Sequence, residues 1–185
     1  NISKADIKIT GIECIRYGEL YTHYNEKIET IYSKTNIDEK NLVLSNYNDV
    51  LIPASGETSI DIATASCVLK DKVALGGDIN IIKTAENGVF LAYYLNNKKK
   101  LEIANLAQGN SVVHLYSTQL ETLNLNIPSL PEQQKIADFL SKVDEKIEKL
   151  TKKKELLEQY KKGVMQKILS QELMFKDDNG NYFPD

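Results

Sequence analysis

Residues 125–140 of this 185-residue chain read LNIPSLPEQQKIADFL, and they contain the start of a helix. Ser129 is a favoured N-cap residue, Pro131 is tolerated in a first helical turn, and Glu132 stands three residues after the cap. This combination is typical of a helix N-terminus with a capping box. The stretch therefore predicts that a helix begins directly after Ser129 and that a different kind of structure precedes it.

Apolar side chains recur beyond this start at alternating spacings of four and three residues. Eleven such seam positions run from Ile136 to Gln171, and eight of them are apolar, which is typical of a coiled coil. Lys154 and Lys161 interrupt the seam, where polar residues specify register and partner. The helix is expected to be about 60 Å long, so it needs a second helix to cover its seam. The apolar seam residues are Ile136, Leu140, Val143, Ile147, Leu150, Leu157, Val164 and Ile168.

Residues 1–128 have the pattern of a globular α+β domain. Short apolar and β-branched runs between turn residues predict strands, whereas residues 89–95 are apolar on nearly every side and predict a buried helix. Two further short helices are predicted at 101–107 and, from a capping box, at 118–121. The fold class is therefore α+β, with a globular mixed-sheet domain followed by a long coiled-coil helix. The predicted strands are 12–16, 42–45, 50–53, 67–70, 78–83 and 111–116.

Charge and composition divide the chain into three parts. The chain is 42% hydrophobic and 26% charged, which excludes wholesale disorder. Residues 1–130 carry 12 basic and 15 acidic groups, residues 131–176 carry 11 and 8, and residues 177–185 carry three aspartates and no basic group. We therefore expect a globular domain over 1–128, a spacer or dimerisation helix over 129–175, and a tail or linker over 176–185.

Sequence motifs that carry catalysis are absent. The chain has no glycine-rich phosphate loop, no G-x-G-x-x-G, and no Asn/Asp-Pro-Pro-aromatic loop of an adenine methyltransferase. His23, His114, Cys14 and Cys67 match no zinc-binding spacing. No apolar run reaches the roughly 18 residues of a membrane span. We predict no catalytic residue, no metal site and no cofactor, which makes an enzyme the least favoured class.

Three polar segments of the globular part carry groups that suit contact with nucleic acid. Residues 16–24, interpreted as a loop, hold an arginine, three tyrosines, a threonine and a histidine. Residues 54–59 and 107–111 are glycine-centred turns with hydroxyl and amide side chains. Arginine can bind a guanine edge with two hydrogen bonds, and tyrosine or threonine can bind phosphates or bases. The same residues also fit half-buried core tyrosines and ordinary turns, and the net charge of −3 argues mildly against binding over the whole surface.

The segment 125–140 resembles the boundary motif of type I restriction–modification specificity subunits, in which it joins a target recognition domain to a long spacer helix. Upstream, residues 14–22 resemble the family segment that reads R-x-G-x-x. Residues 51–57, 90–95 and 107–109 are similar to further landmarks of the family, so the resemblance covers nearly the whole chain. Its most specific part is the P-x-L-P-E-Q-Q-K-I-A boundary.

The resemblance implies a non-catalytic adaptor that gives a restriction–modification system its DNA sequence specificity. Complete subunits of the family have two recognition domains, which each read half of a bipartite target, and two antiparallel helices that set the gap. This chain would supply one domain and one helix, and two copies could pair through the helix. The implied partners are double-stranded DNA, methyltransferase subunits and a restriction motor–nuclease subunit, in the cytoplasm of a prokaryote.

The alternative is a coiled-coil dimerisation protein with a small binding head and no role on DNA. A salt titration of DNA binding separates the two hypotheses, because phosphate contacts release counterions and weaken steeply with salt. Under the favoured hypothesis the candidate DNA-facing residues are Arg16, Tyr17, Tyr21, Thr22, Ser55, Glu57, Gln108 and Asn110.

Overall fold

The computed structural model describes residues 2–109 and 112–183, in which short strands and helices precede one helix of 40 residues. Two 3-10 turns, Lys4–Asp6 and Glu39–Asn41, also occur. The strands are β1 Ile7–Lys8, β2 Ile12–Ile15, β3 Lys27–Ile28, β4 Ser33–Thr35, β5 Val43–Leu44, β6 Asp49–Pro53, β7 Ser55–Gly56, β8 Ser66–Val68, β9 Ala74–Leu75, β10 Ile79–Ile82 and β11 Val113–His114. The helices are α1 Tyr17–Thr22, α2 Ser59–Ile62, α3 Gly88–Asn97, α4 Lys100–Leu106, α5 Ser117–Leu120 and α6 Leu130–Leu169.

The strands form three sheets. The first has the order β1-β4-β2-β9-β5, the second β10-β6-β8-β3, and the third pairs β11 with β7. The pairs β2–β9 and β3–β8 are parallel and the other pairs are antiparallel. This mixed arrangement, followed by a long helix, confirms the predicted α+β class.

Strand β6 lies between two hydrophobic cores and is buried along its whole length. Val50 and Ile52 belong to one core, with Leu91 of α3 and Ile103 of α4. The intervening Leu51 belongs to the other core, which also contains residues of β2 and α1. Because successive side chains of a strand point to opposite faces, one strand holds α1 and α3 on its two sides.

Helix α6 begins at Leu130, next to the predicted cap Ser129, and ends at Leu169. The end comes earlier than the predicted residue 175, and Gln171 follows it in a left-handed conformation (φ 60°) that does not continue an α-helix. The chain divides into two compact units between Phe139 and Leu140, so the first ten residues of α6 belong to the globular unit. The predicted domain limits at 128 and 175 stay predictions.

Two local predictions were wrong. The capping box of α5 is not formed by Thr118 and Glu121: Gln119 accepts a hydrogen bond from the backbone N–H of Tyr116 at 2.8 Å, and the helix starts at Ser117. The segment 54–59 is more than a turn, because it contains β7 and the start of α2. Thr58 caps α2 by accepting from the backbone N–H of Asp61 at 3.1 Å.

No helix in the described ranges is long and apolar enough to cross a membrane.

Candidate nucleic-acid interface

The segment predicted as a loop at residues 16–24 contains helix α1, which carries three of the candidate residues, Tyr17, Tyr21 and Thr22. Arg16 is its N-cap residue, and Glu19 accepts a hydrogen bond from the backbone N–H of Arg16 at 2.7 Å. This contact satisfies a backbone donor at the helix start, as a capping-box glutamate does. The loop interpretation was wrong because a six-residue helix with one large apolar side chain, Leu20, shows no apolar periodicity.

A buried carboxylate holds the guanidinium group of Arg16. Glu19 is buried, accepts a hydrogen bond from the Ser33 hydroxyl, and lies 3.5 Å from Nη2 of Arg16. The Arg16 side chain is 28% exposed, and within the described residues its Nε atom has no hydrogen-bond partner. Nε is buried, so Arg16 is held by Glu19 through Nη2 while the side chain stays partly exposed, an arrangement that suits contact with a phosphate or a guanine edge.

A second group of candidate residues lies on and beside the small sheet of β7 and β11. Ser55 pairs with His114, whose backbone also exchanges hydrogen bonds of 2.9 and 2.7 Å with Gln108. Glu57 and Gln108 are exposed, whereas Ser55 is buried and is the least accessible of the described candidates. Asn110 lies outside the described residues.

Helix α1 and strand β7 meet at Tyr21. A Cβ atom placed on Gly56 would lie 3.8 Å from the Tyr21 ring and 2.4 Å from Ile62, so the strand approaches closely because residue 56 has no side chain. Burial, and then the neighbouring Tyr17, Glu57 and Asp61, raise the pKa of Tyr21 above 10.0. Its hydroxyl therefore stays protonated and can both donate and accept. The structure brings α1, Glu57 and, through β11, Gln108 into one region.

Sequence reasoning missed two aromatic residues of this region. His114 and Tyr116 are exposed and their rings stack, with centroids 6.2 Å apart and an interplanar angle of 16°. Val113 and Leu115 are buried while His114 and Tyr116 are exposed, so buried and exposed side chains alternate along residues 113–116. That alternation is the signal available in the sequence, where His114 is considered only as a zinc ligand.

The seam residues of α6 form an apolar strip along the helix. Val143 is 41% exposed, and Ile147, Leu150 and Leu157 are each 56% exposed. The other four, Ile136, Leu140, Val164 and Ile168, are partly buried. Exposed leucine and isoleucine at this spacing are typical of a helix whose partner is another helix.

No group of three or more histidine, cysteine, aspartate or glutamate residues in the described part of the chain is placed to hold a metal ion.

The family described as "Type I restriction modification DNA specificity domain" matches residues 2–159. That match runs through the globular unit, the boundary motif and most of α6. The chain belongs to the type I restriction–modification DNA specificity family.

Relatives of this specificity-family chain are found by sequence and by structure. The type I restriction enzyme MjaVIII specificity subunit of Methanocaldococcus jannaschii is 26% identical over 130 residues, which are 69% of this chain and 29% of that protein. A crystal structure of the type I restriction–modification S subunit from M. genitalium matches with a TM-score of 0.55 at 20% identity, covering 92% of this chain and 42% of that one.

A chain from a structure of complex assembly and conformational transition of the type I R-M system matches with a TM-score of 0.61 at 14% identity, covering 91% of this chain and 40% of that one. At these identities the solved structures establish the fold. The chain spans under a third of the MjaVIII subunit and about two fifths of each solved chain. The family predicted from the boundary motif is confirmed.

Proposed function

We propose that this chain is a DNA sequence-specificity adaptor of a type I restriction–modification system and reads one half of a bipartite target. The observation that carries the proposal is the continuous family match over residues 2–159, which joins the globular unit to the long helix. Methylation and cleavage are assigned to partner subunits, so the chain itself needs no catalytic residue and no cofactor. We place this activity in the cytoplasm of a prokaryote.

The reading surface is proposed to be the region of α1, β7 and β11. Arg16, held by Glu19, supplies a pair of donors for a guanine edge or a phosphate. Glu57 is exposed beside Tyr21 and can accept from the amino group of cytosine, whereas it would repel phosphate. His114 and Tyr116 add an exposed aromatic pair. Ser55 supports the surface through its backbone pairing with His114.

Charge supports a division of labour between this chain and its partners. Residues 1–130 carry 12 basic and 15 acidic groups, so the globular part has no excess of positive charge to neutralise phosphates. Non-specific affinity for DNA depends on such neutralisation. We therefore assign much of the grip on DNA to the methyltransferase subunits and the choice of sequence to this chain.

Helix α6 is proposed to organise the assembly. Its exposed seam needs a second helix, which comes either from a second copy of the chain or from a further part of the native protein. The rest of the helical surface is proposed to bind the methyltransferase subunits. The restriction motor–nuclease subunit is proposed to join the complex that they form.

The test is to co-express the protein with the methyltransferase subunit encoded beside its gene and to map N6-methyladenine by single-molecule sequencing. Methylation confined to one bipartite motif supports the proposal, and a palindromic motif identifies two paired copies. If neither a complex nor methylation forms, a coiled-coil binding protein without a role on DNA becomes the better account. Methyltransferase with empty vector is the control, because it separates intrinsic methylation from methylation directed by this chain.

A further inference from the structure

Gln133, in the first turn of α6, is a fully buried polar residue whose hydrogen-bonding atoms are all engaged by the globular unit and the preceding turn. Its Oε1 atom accepts from the backbone N–H of Asn87 at 3.0 Å. Its Nε2 atom donates to the Glu86 carboxylate at 2.6 Å and to the Pro128 carbonyl at 2.8 Å. Gln133 thus joins the start of α6 to a segment 46 residues earlier in the chain.

Asn87 connects the start of α6 with the start of α3. Its Oδ1 atom accepts from the backbone N–H of Phe90 at 2.8 Å and so caps α3. Its Nδ2 atom donates to Gln134 at 2.8 Å. Two consecutive glutamines of α6 therefore bind Asn87 with their side chains. Gln133 accepts from the backbone N–H of Asn87, and Gln134 accepts from the side-chain amide of Asn87.

The segment that receives these contacts is itself held to the core. Asn48, directly before β6, donates to the carbonyl of Glu86 at 2.9 Å and accepts from the backbone N–H of Gly88 at 2.7 Å. Strand β6 is buried between both cores. A chain of hydrogen bonds thus runs from β6 through Asn48 and residues 86–87 to the first turn of α6.

We propose that Gln133 is a positioning residue that sets the gap between the two half-sites of the target, an inference that rests on the proposed function. An apolar residue at this position would be buried as readily, but apolar contacts are non-directional and tolerate rotation of the helix. Three hydrogen bonds to a buried amide have fixed directions and a cost when broken, so they permit one orientation of the first helical turns. Ala137, one turn later on the same face of the helix, is also buried.

The required precision is small enough for this anchor to matter. A globular unit of about 140 residues has a radius of gyration of about 14 Å, which corresponds to a sphere about 36 Å across, so its far surface lies about 36 Å from an anchor at its edge. A rotation of about 5° about Gln133 then moves that surface by about 3 Å, close to the rise of one base pair. Loss of the anchor is therefore expected to loosen the gap by about one base pair.

The test compares Gln133→Met with wild type and with the control Lys135→Met, an exposed residue of the same turn, in the gene that encodes this chain. Each variant is co-expressed with the methyltransferase subunit, and the gap length of every methylated site is read by single-molecule sequencing. For Gln133→Met we expect unchanged half-site sequences and an about tenfold weaker preference for the wild-type gap over gaps one base pair longer or shorter. The control Lys135→Met is expected to methylate sites with the wild-type gap length, as wild type does.

A Gln133→Met variant that methylates only the wild-type gap overturns the inference. If wild type itself methylates nothing, the proposed function fails instead, so the two failures are distinguishable. Should Gln133→Met fail to fold, Glu86→Ala carries the test, since it removes one partner of Gln133 and leaves the bonds to Asn87 and Pro128. Glu86→Ala is expected to broaden the gap and Glu86→Gln, which retains an acceptor, to keep it. An unbroadened gap in Glu86→Ala overturns the inference.

Discussion

Asn48 accepts a hydrogen bond from the backbone N–H of Gly88 at 2.7 Å, and this contact joins the residue before β6 to the first residue of α3. The two residues lie so close that a Cβ atom on Gly88 would be 2.6 Å from the Asn48 carbonyl oxygen. Asn48 also has a left-handed backbone (φ 76°), which asparagine tolerates better than most residues. Residue 48 thus combines a backbone conformation and a side chain that few amino acids supply together.

Replacement of Asn48 by alanine is expected to lower the free energy of unfolding by about 3 kcal/mol. About 2 kcal/mol comes from the lost bonds to Glu86 and Gly88, and about 1 kcal/mol from the left-handed backbone. Asn48→Gly removes the bonds but accepts the backbone, so its loss is expected to be about 1 kcal/mol smaller. Urea unfolding followed by circular dichroism measures both, and equal stabilities for wild type and Asn48→Ala would contradict the expectation.

Arg16 is expected to contribute to specific DNA binding and not to assembly. In the complex with the methyltransferase subunit, Arg16→Ala should weaken specific binding by about 10- to 100-fold, which is the range of one well-placed arginine contact. Arg16→Lys should bind as weakly as Arg16→Ala, because the lysine ammonium group lacks the planar guanidinium fork that Glu19 orients. Affinity is measured by fluorescence anisotropy and assembly by gel filtration. Lys40→Ala, at an exposed site in the turn Glu39–Asn41, is the matched loss of charge. Unchanged affinity in Arg16→Ala would remove Arg16 from the interface.

The start of α6 could be predicted from the sequence because its determinants are local. Ser129, Pro131 and Glu132 lie within one helical turn, and the seam repeats often enough to be counted. The strands that were predicted share this property, since their turn residues flank them directly. Local signals therefore gave the fold class and the place where the helix begins.

The parts that sequence reasoning missed depend on distant partners. Helix α1 is stabilised through Glu19, which contacts Ser33 fourteen residues later. Gln133 was included in the boundary motif, but its burial depends on Glu86 and Asn87, more than forty residues earlier. Contacts of this range leave no periodic trace near the residue that makes them.

Alkaline pH is expected to destabilise the protein through its buried thiols. Burial, and then the nearby Asp49, raise the pKa of Cys67 from 9.0 to about 12, and burial likewise raises the pKa of Cys14 to about 11. A raised pKa in the folded state means that the unfolded chain loses its proton first. The stabilising contribution is therefore complete below about pH 9 and is lost as the pH rises toward 12.

Cys67→Ala is expected to flatten this pH dependence. Between about pH 9 and about pH 11 a buried thiol contributes a slope of up to about 1.4 kcal/mol per pH unit, which alanine lacks. Urea unfolding at several pH values gives the slope, so a constant loss from the smaller side chain does not affect the result. The same slope in wild type and Cys67→Ala would show that the thiol does not titrate with unfolding.

The seam of α6 predicts the register in which two copies would pair. We consider an antiparallel pair of helices that overlaps from Ile136 to Ile168, in which residues of the two copies meet in layers symmetrical about residue 152. Each layer then pairs an a position of one heptad with a d position of the other helix. Lys154 and Lys161 then face apolar residues, over which their stems can lie while the ammonium groups reach water. The layers are Ile136 with Ile168, Leu140 with Val164, Val143 with Lys161, Ile147 with Leu157 and Leu150 with Lys154.

Cysteine cross-linking tests this register directly. The double variant I147C/L157C places two thiols in one layer, so mild oxidation is expected to give a covalent dimer on a non-reducing gel. Neither single variant should cross-link, because the two copies of residue 147 are then separated by about 15 Å along the axis, beyond the reach of a disulfide. A parallel pair would instead cross-link through the single variant I147C. Wild type measures the background from Cys14 and Cys67, both of which are buried. The cross-linking is done at a protein concentration at which the co-expressed complex methylates DNA. If no variant cross-links there, the seam is covered by a helix that does not come from a second copy of this chain.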